Sequence, residues 1–253
     1  MTDTAIELIG LKKRFGGIFA VNDLNIKIRS GTITSIIGPN GAGKTTVFNL
    51  ISGFIKPTTG SILFSEQNIT QKEVHDIARM GVARTFQQVQ IFPEMSVLEN
   101  VMVGRHVRSK SGFLLSCIVP PQFRKQEAFI KTSAEKWLSF VGLNSMADHP
   151  AGTLPLGNQR ILEISRALAM EPQVILLDEP ASGLNARETL ALGELIERIK
   201  MSNITVMLVE HDMELVMEIS DRVIVINFGQ VIADGSPAEV QMNPEVIKAY
   251  LGE

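Results

Sequence analysis

The feature that most constrains the fold is a glycine-rich segment between a strand-like run and a helix-like run. Residues 32–37, which are mostly β-branched, precede it, and a helical pattern begins at its end. The segment matches the G-x-x-x-x-G-K-[ST] pattern in full and consists of Gly38, Pro39, Asn40, Gly41, Ala42, Gly43, Lys44, Thr45 and Thr46. Its glycines let successive backbone N–H groups converge on phosphate oxygens, and the helix start adds partial positive charge. We therefore expect a phosphate-binding loop, hereafter the phosphate loop, after a strand of an α/β sheet.

Two side chains of the phosphate loop have distinct tasks in this motif. Lys44 would reach the β- and γ-phosphates of a nucleotide, and the Thr45 hydroxyl would ligate Mg²⁺. A chance glycine-rich turn is the alternative, but the strand-like run before the loop and the helical run after it favour nucleotide binding.

A second candidate site lies where an apolar run ends in two carboxylates. Residues 174–177 are all aliphatic, and Asp178 and Glu179 follow them. Such a run is typical of a strand buried on both faces, and open α/β sheets bind ligands at the carboxyl ends of these strands. Asp178 suits Mg²⁺, through water, while Glu179 is placed to polarise an attacking water. A solvated strand end with helix-capping acids is the alternative interpretation.

Hydrophobic patterns along the chain predict an α/β fold whose first part is rich in strands. Strand-like runs occur at residues 6–9, 24–28, 33–37, 62–64, 174–177, 206–209 and 223–226. Helical patterns occur at residues 44–52, 159–169, 187–201 and 213–219. The later alternation of strands and helices predicts a parallel sheet with covering helices.

Composition excludes several classes of protein. The 24 basic and 27 acidic residues give a net charge of −3, which argues against a protein that coats nucleic acid. The single cysteine, Cys117, excludes a disulfide framework and a cysteine-based zinc site. No apolar run approaches the ~20 residues that span a bilayer, and residues 1–4 lack the features of a signal peptide. We therefore expect any membrane role to come through a partner.

The segment of residues 105–125 differs in composition from the rest of the chain. It is basic, then apolar, then contains Pro-Pro, and is basic again, without any catalytic pattern. It is either a surface excursion with one apolar anchor or an element that contacts a partner or lies near a membrane.

Four shorter motifs accompany the phosphate loop and the acidic strand end. They are Lys13-Arg14-Phe15-Gly16, Thr85-Phe86-Gln87-Gln88, Ser182-Gly183-Leu184-Asn185 and Val209-Glu210-His211-Asp212. With them the chain resembles, from end to end, the nucleotide-binding subunit of an ATP-binding-cassette (ABC) transporter. The resemblance implies the P-loop ABC ATPase fold, with a mixed sheet core, an N-terminal antiparallel β subdomain and a helical subdomain that carries the signature motif. Within one domain of residues 1–253, residues 1–90 and 171–253 would form the core and β subdomain, and residues 91–170 the helical subdomain.

The resemblance also implies roles for single residues. Gln87 would contact Mg²⁺ or water and relay to a transmembrane partner. His211 would contact the γ-phosphate, although a lone histidine is more commonly structural, and Phe15 would stack on adenine unless it belongs to the core. The implied cofactors are ATP and Mg²⁺. The implied catalytic residues are Lys44, Gln87, Glu179 and His211, and the implied Mg²⁺ ligands are Thr45, Gln87 and Asp178.

The signature motif departs from the family pattern. Leu154-Pro155-Leu156-Gly157-Asn158 stands where the family has Leu-Ser-Gly-Gly-Gln. Pro155 has neither the hydroxyl nor the N–H that the family's serine would direct at the γ-phosphate of the opposite subunit's ATP. Gly157 and the helix start can still offer backbone N–H groups to the nucleotide, so the resemblance implies a weakened clamp rather than an absent one.

Three stretches bring the chain closest to the ATPase subunits of importers for branched-chain amino acids, neutral amides and urea. They are residues 13–21, 83–87 and 243–252. The implied partners are transmembrane permease subunits, a second ATPase subunit and, indirectly, an extracytoplasmic solute-binding protein, but no nucleic acid. The two ATPase subunits would form a heterodimer in the transporter, or a homodimer in isolation, bound peripherally at the cytoplasmic face of the inner membrane.

Three other functions are compatible with a phosphate loop. A soluble ABC ATPase of DNA repair or translation usually carries a long coiled-coil insertion or a second cassette, and neither occurs in these 253 residues. A small-molecule kinase needs no signature helix. A regulatory subunit that does not hydrolyse ATP is disfavoured because Lys44, Glu179 and His211 are all present.

Overall fold

The computed structural model describes residues 3–106 and 121–251 of the chain. The strands are β1 (Thr4–Phe15), β2 (Ile18–Arg29), β3 (Ile33–Ile37), β4 (Thr59–Phe64), β5 (Gln67–Asn68), β6 (Val82–Arg84), β7 (Val174–Asp178), β8 (Thr205–Val209), β9 (Arg222–Asn227) and β10 (Gln230–Gly235). The helices are α1 (Lys44–Ile51), α2 (Val74–Met80), α3 (Val97–His106), α4 (Pro121–Val141), α5 (Leu156–Leu168), α6 (Ala186–Met201), α7 (Met213–Ile219), α8 (Pro237–Gln241) and α9 (Pro244–Leu251). Short 3₁₀ helices cover Asn144–Met146 and Ala151–Thr153.

The chain divides into two compact units. The first unit contains Met1–Arg84 and Gln173–Glu253, and the second contains Thr85–Pro172.

A mixed sheet forms the centre of the first unit. Its strand order is β10-β9-β3-β8-β7-β6, and neighbouring strands from β9 to β6 are parallel, while β10 is antiparallel to β9. Every residue of β3, β7 and β8 is buried, which explains why residues 174–177 of β7 and 206–209 of β8 are continuous apolar runs. Because these three strands are parallel neighbours, the segments that follow them meet at one edge of the sheet.

An antiparallel sheet of order β2-β1-β4-β5 lies in the same unit. Along β2, Leu24, Ile26 and Ile28 are buried, while the residues between them are exposed. This alternation places one face of the sheet in a hydrophobic core that also contains Val47 and Phe48 of α1.

The second unit is helical in its described part. Most of its buried apolar side chains come from α3, α4 and α5, and they include Val101, Trp137, Leu138, Leu162 and Ile164. Within residues 3–106 and 121–251, no helix has both the length and the apolar character needed to cross a membrane.

The predicted α/β fold, with a mixed sheet and an N-terminal antiparallel sheet, is confirmed. Each predicted strand and helix overlaps an observed one, and the predicted helix at 213–219 has the observed bounds of α7. The shortest strands, β5 and β6, have no sequence signal of their own because two or three residues cannot show a period.

In the 105–125 segment, residues 107–120 with Cys117 lie outside the described residues, and residues 121–125 begin α4.

Candidate active site

The phosphate loop connects β3 to α1 and requires glycine at two close approaches. At Gly38, with φ of 149°, a Cβ atom would lie 2.0 Å from the Ile226 carbonyl oxygen. At Gly43, with φ of 108°, a Cβ atom would lie 2.3 Å from the Ala20 carbonyl oxygen. Strands β2 and β9 therefore hold the loop backbone in place, and only glycine fits at these two positions.

The lysine of the phosphate loop is buried in the loop itself. Lys44 is 6% exposed, and its Nζ donates to the carbonyl oxygens of Gly38 at 2.8 Å and Pro39 at 3.1 Å. Burial lowers the pKa of Lys44, while the charges of Glu179 and Asp178 oppose that shift. Gly43 is the N-cap residue of α1 and contributes no side-chain cap, so the backbone N–H groups of the first turn of α1 are available to an anion.

Asp178, at the end of β7, forms a buried ion pair that the sequence did not predict. Its Oδ2 accepts a hydrogen bond of 2.8 Å from Nη2 of Arg84, and the side chains are 3% and 6% exposed. Arg84 lies on the neighbouring strand β6 and also donates to Asn49 Oδ1 at 2.7 Å and Ser52 Oγ at 2.9 Å. Burial lowers the pKa of Arg84, and its bond to Asp178 opposes this.

Glu179 and His211 form a contact pair at the same edge of the sheet. His211 Nε2 lies 3.0 Å from Glu179 Oε1, and the two side chains are 47% and 14% exposed. Glu179 has a φ of 49°, a left-handed conformation that non-glycine residues rarely adopt. Its N–H donates to the Val209 carbonyl at 2.8 Å, which ties the residue to the end of β8. The structure thus brings Lys44, Asp178, Glu179 and His211 together at this edge of the sheet.

Other predicted site residues occupy a range of environments. Phe15 ends β1 and is 51% exposed, so it belongs to the surface and not to the core. Thr45 and Gln87 are exposed, and Gln87 belongs to the second unit. Gly157 is buried in the first turn of α5, and Pro155 is the N-cap residue of that helix.

Two charged residues of α5 hold the backbone next to Gln87 within the second unit. Phe86 N–H donates to Glu163 Oε1 at 3.2 Å, and Arg160 Nη1 donates to the Phe86 carbonyl at 3.2 Å. Glu163 is 2% exposed, and burial raises its pKa to about 7 against the opposing effects of the Phe86 N–H and of the charges of Arg166 and Arg160. The helix that follows the signature motif is thereby attached to the segment that carries Gln87.

Two protein-family models match parts of the chain. Residues 21–182 match the family model described as ABC transporter, and residues 230–253 match one described as Branched-chain amino acid ATP-binding cassette transporter. The chain belongs to the ABC transporter family. It is 46% identical over 254 residues to the high-affinity branched-chain amino acid transport ATP-binding protein LivG of Escherichia coli (strain K12), with 100% of each chain covered.

Solved structures of ABC cassettes agree with this assignment. The ADP conformation of an ATP-binding cassette from an ABC transporter superposes with a TM-score of 0.87 at 32% identity, covering 100% of both chains. A dimeric post-hydrolysis state of a cassette bound to ADP and Pi gives 0.76 at 25% identity, covering 92% of this chain and 98% of that one. The resemblance, the ABC ATPase fold and the ATPase activity expected from the sequence are confirmed.

Sequence reasoning missed two charged residues that this ABC ATPase buries at its site. Arg84 followed an apolar pair in a strand too short to recognise, and Glu210 was noted only as the neighbour of His211. The available signal was a charged residue at the end of an apolar run, where burial demands a partner.

Proposed function

We propose that this chain is the ATP-binding and hydrolysing subunit of an importer for branched-chain amino acids or related amides. The observation that carries the proposal is the Glu179–His211 pair, held 3.0 Å apart beside the buried Lys44. The match of residues 230–253 to a branched-chain amino acid transporter family, together with the similarity to LivG, supports the class of solute.

The phosphate loop supplies the groups that bind the nucleotide. Lys44 would exchange its two bonds to loop carbonyls for bonds to the β- and γ-phosphates, and the N–H groups of the first turn of α1 would bind further phosphate oxygens. Phe15, exposed at the end of β1, would stack on the adenine ring.

The donor set fits Mg²⁺ that is held mainly by the nucleotide and water. In the described residues there is no group of three or more His, Cys, Asp or Glu that could hold a metal ion. Within the first unit, the Thr45 hydroxyl and the Asp178 carboxylate would hold Mg²⁺, which usually retains several waters. When bound, the ion neutralises charge that develops on the phosphate oxygens.

Glu179 and His211 are the residues that would carry out hydrolysis. The Glu179 carboxylate would accept a hydrogen bond from the attacking water and orient it towards the γ-phosphorus. His211 would contact the γ-phosphate while its ring bonds Glu179, so that each side chain fixes the position of the other. The protein contributes positioning and charge neutralisation, which is what phosphoryl transfer requires.

A second ATPase subunit would complete each site. The start of α5, with Gly157, would close over ATP bound to the opposite subunit, as in a head-to-tail dimer. Pro155 offers that nucleotide no hydroxyl and no N–H, so the site that it completes should hydrolyse ATP more slowly. A heterodimer, in which this chain's own phosphate loop faces another signature motif, would therefore hydrolyse ATP mainly at this chain's phosphate loop.

Transport would be coupled through partners at the cytoplasmic face of the inner membrane. Permease subunits would receive the movement of the Gln87 segment, and an extracytoplasmic binding protein would deliver the solute to them. The 105–125 segment is either part of this contact or surface decoration, and residues 107–120 of it lie outside the described part of the chain. We also propose that residues 91–170 form the helical subdomain.

Reconstitution tests the proposed function. The chain is co-expressed with its permeases and second ATPase subunit, placed in proteoliposomes, and assayed for ATP-dependent uptake of labelled leucine with the binding protein present. Uptake is expected with wild type and not with Lys44→Ala. ATP hydrolysis without any ATP-dependent solute uptake would instead support a soluble ABC-type ATPase.

A further inference from the structure

Glu210 is a buried carboxylate that lies between the two loops that carry Glu179 and His211, hereafter the hydrolytic pair. It lies between the end of β8 and His211 and is 3% exposed, whereas the His211 side chain is 47% exposed. The two neighbours therefore face different environments: His211 reaches the solvent-accessible site, and Glu210 is directed into the protein.

The two oxygens of Glu210 bind backbone groups from different loops. Oε1 accepts the Ala181 N–H at 2.6 Å, and Oε2 accepts the His211 N–H at 2.9 Å. A longer contact of 3.5 Å joins Oε2 to the Asp212 N–H. Ala181 lies two residues after Glu179, so one carboxylate connects the loop after β7 to the loop after β8.

This connection acts where the backbone needs support. Glu179 is held in a left-handed conformation, with φ of 49°, that the surrounding structure must enforce. Its N–H is bonded to the Val209 carbonyl on one side, and Glu210 fixes Ala181 on the other. Burial raises the pKa of Glu210, while the N–H groups of Ala181, His211 and Asp212 stabilise its ionised form.

We propose that Glu210 is a positioning residue for ATP hydrolysis, which acts by fixing Glu179 and His211 relative to each other through the backbone of their loops. The proposal rests on the proposed hydrolytic role of this pair. A carboxylate suits the task because both of its oxygens accept hydrogen bonds, so it can hold two N–H groups at once. Glutamine offers a single acceptor oxygen, and its NH₂ group would face one of the two N–H donors.

The test compares Glu210→Gln with Glu218→Gln, a matched change at an exposed glutamate of α7. Glu210→Gln is expected to lower kcat for ATP hydrolysis about 10–100-fold, the scale of a misplacement near 1 Å, with the Kd for ATP within about twofold of wild type. Glu218→Gln is expected to retain both values. Glu210→Gln with wild-type kcat would overturn the proposal.

A second arm separates positioning from general loss of structure. In the His211→Ala background, Glu210→Gln is expected to slow hydrolysis by no more than about twofold, because the pair that it positions is already broken. An equal fold-loss in the wild-type and His211→Ala backgrounds would overturn the proposal.

If Glu210→Gln does not fold, Glu210→Asp replaces it. The shorter carboxylate cannot hold both loops, so Glu210→Asp should hydrolyse ATP at least about threefold more slowly than wild type, with unchanged affinity for ATP. A wild-type rate would overturn the proposal.

The outcome also distinguishes this proposal from the proposed function. If Glu179→Gln hydrolyses ATP at the wild-type rate, the hydrolytic role of the pair fails. If Glu179→Gln is inactive while Glu210→Gln is fully active, only the positioning role of Glu210 fails.

Discussion

Removing Arg84 should destabilise the first unit because it leaves Asp178 charged and buried without its cation. The Arg84–Asp178 bond is 2.8 Å long, and the two side chains are 6% and 3% exposed. Breaking a buried ion pair from one side typically costs about 3–5 kcal/mol, since the remaining charge stays desolvated. Arg84→Met keeps an unbranched apolar side chain and removes every donor of the guanidinium, together with its contact with the Phe48 ring, whose centroid lies 5.8 Å from the Arg84 Cζ. We therefore expect the free energy of unfolding to fall by about 3–5 kcal/mol.

The assay is urea unfolding followed by far-UV circular dichroism, in buffer without nucleotide or Mg²⁺. The single tryptophan, Trp137, belongs to the second unit and is a poor reporter for this change. Arg79→Met, at an exposed arginine of α2, is the matched control and should change the free energy by less than about 0.5 kcal/mol.

A double variant tests the physical reason for this loss. Arg84→Met/Asp178→Asn should be more stable than Arg84→Met alone, because the uncompensated carboxylate is gone. The reasoning is refuted if Arg84→Met costs less than about 1 kcal/mol, or if the double variant is the less stable of the two.

Three further perturbations have expected outcomes. Lys44→Ala should weaken ATP binding about 10–100-fold, because charge-assisted hydrogen bonds to the phosphates are lost, and a titration that shows unchanged Kd contradicts this. Glu163 keeps its proton in the folded state up to a pH of about 7, whereas the unfolded chain releases it near 4.5, so stability should fall as pH rises through this range. Denaturant titrations should show that the free energy of unfolding of the wild-type chain falls by roughly 3 kcal/mol more than that of Glu163→Gln across that range. Parallel pH profiles of the two proteins would contradict this expectation. Pro155→Ser should raise ATP hydrolysis in the assembled transporter by restoring a hydroxyl and an N–H at the start of α5, and an unchanged rate argues against the weakened clamp.

The main strands of the mixed sheet were predictable because strands buried on both faces are short runs rich in apolar and β-branched residues, which can be recognised without knowing the rest of the chain. Residues 174–177 of β7 and 206–209 of β8 are continuous apolar runs, and β3 combines three isoleucines with Thr34 and Ser35. Each of the three strands is followed by a motif with its own spacing. Parallel pairing of these strands is enough to place the phosphate loop, the acidic strand end and His211 at one edge. Lys44, Asp178 and Glu179 were predicted from local patterns of this kind, and His211 from the resemblance to the family.

The polar contacts that support the site were not predictable because they join distant parts of the chain. Arg84 and Asp178 are 94 positions apart, and Glu210 reaches Ala181 across 29. Neither β6 nor the loop after β7 has a period that would reveal such a partner. A buried charge demands compensation, but the sequence alone does not say which residue provides it.

The most direct test of the central claim is the steady-state rate of ATP hydrolysis by Glu179→Gln, measured beside its affinity for ATP. We expect Glu179→Gln to bind ATP with a Kd near that of wild type, because Lys44 and the phosphate loop are intact. We also expect a hydrolysis rate about 10²–10⁴-fold lower, the usual contribution of a positioned acid–base group. Hydrolysis within about threefold of wild type would contradict the assignment of Glu179, and with it the catalytic role of its pair with His211.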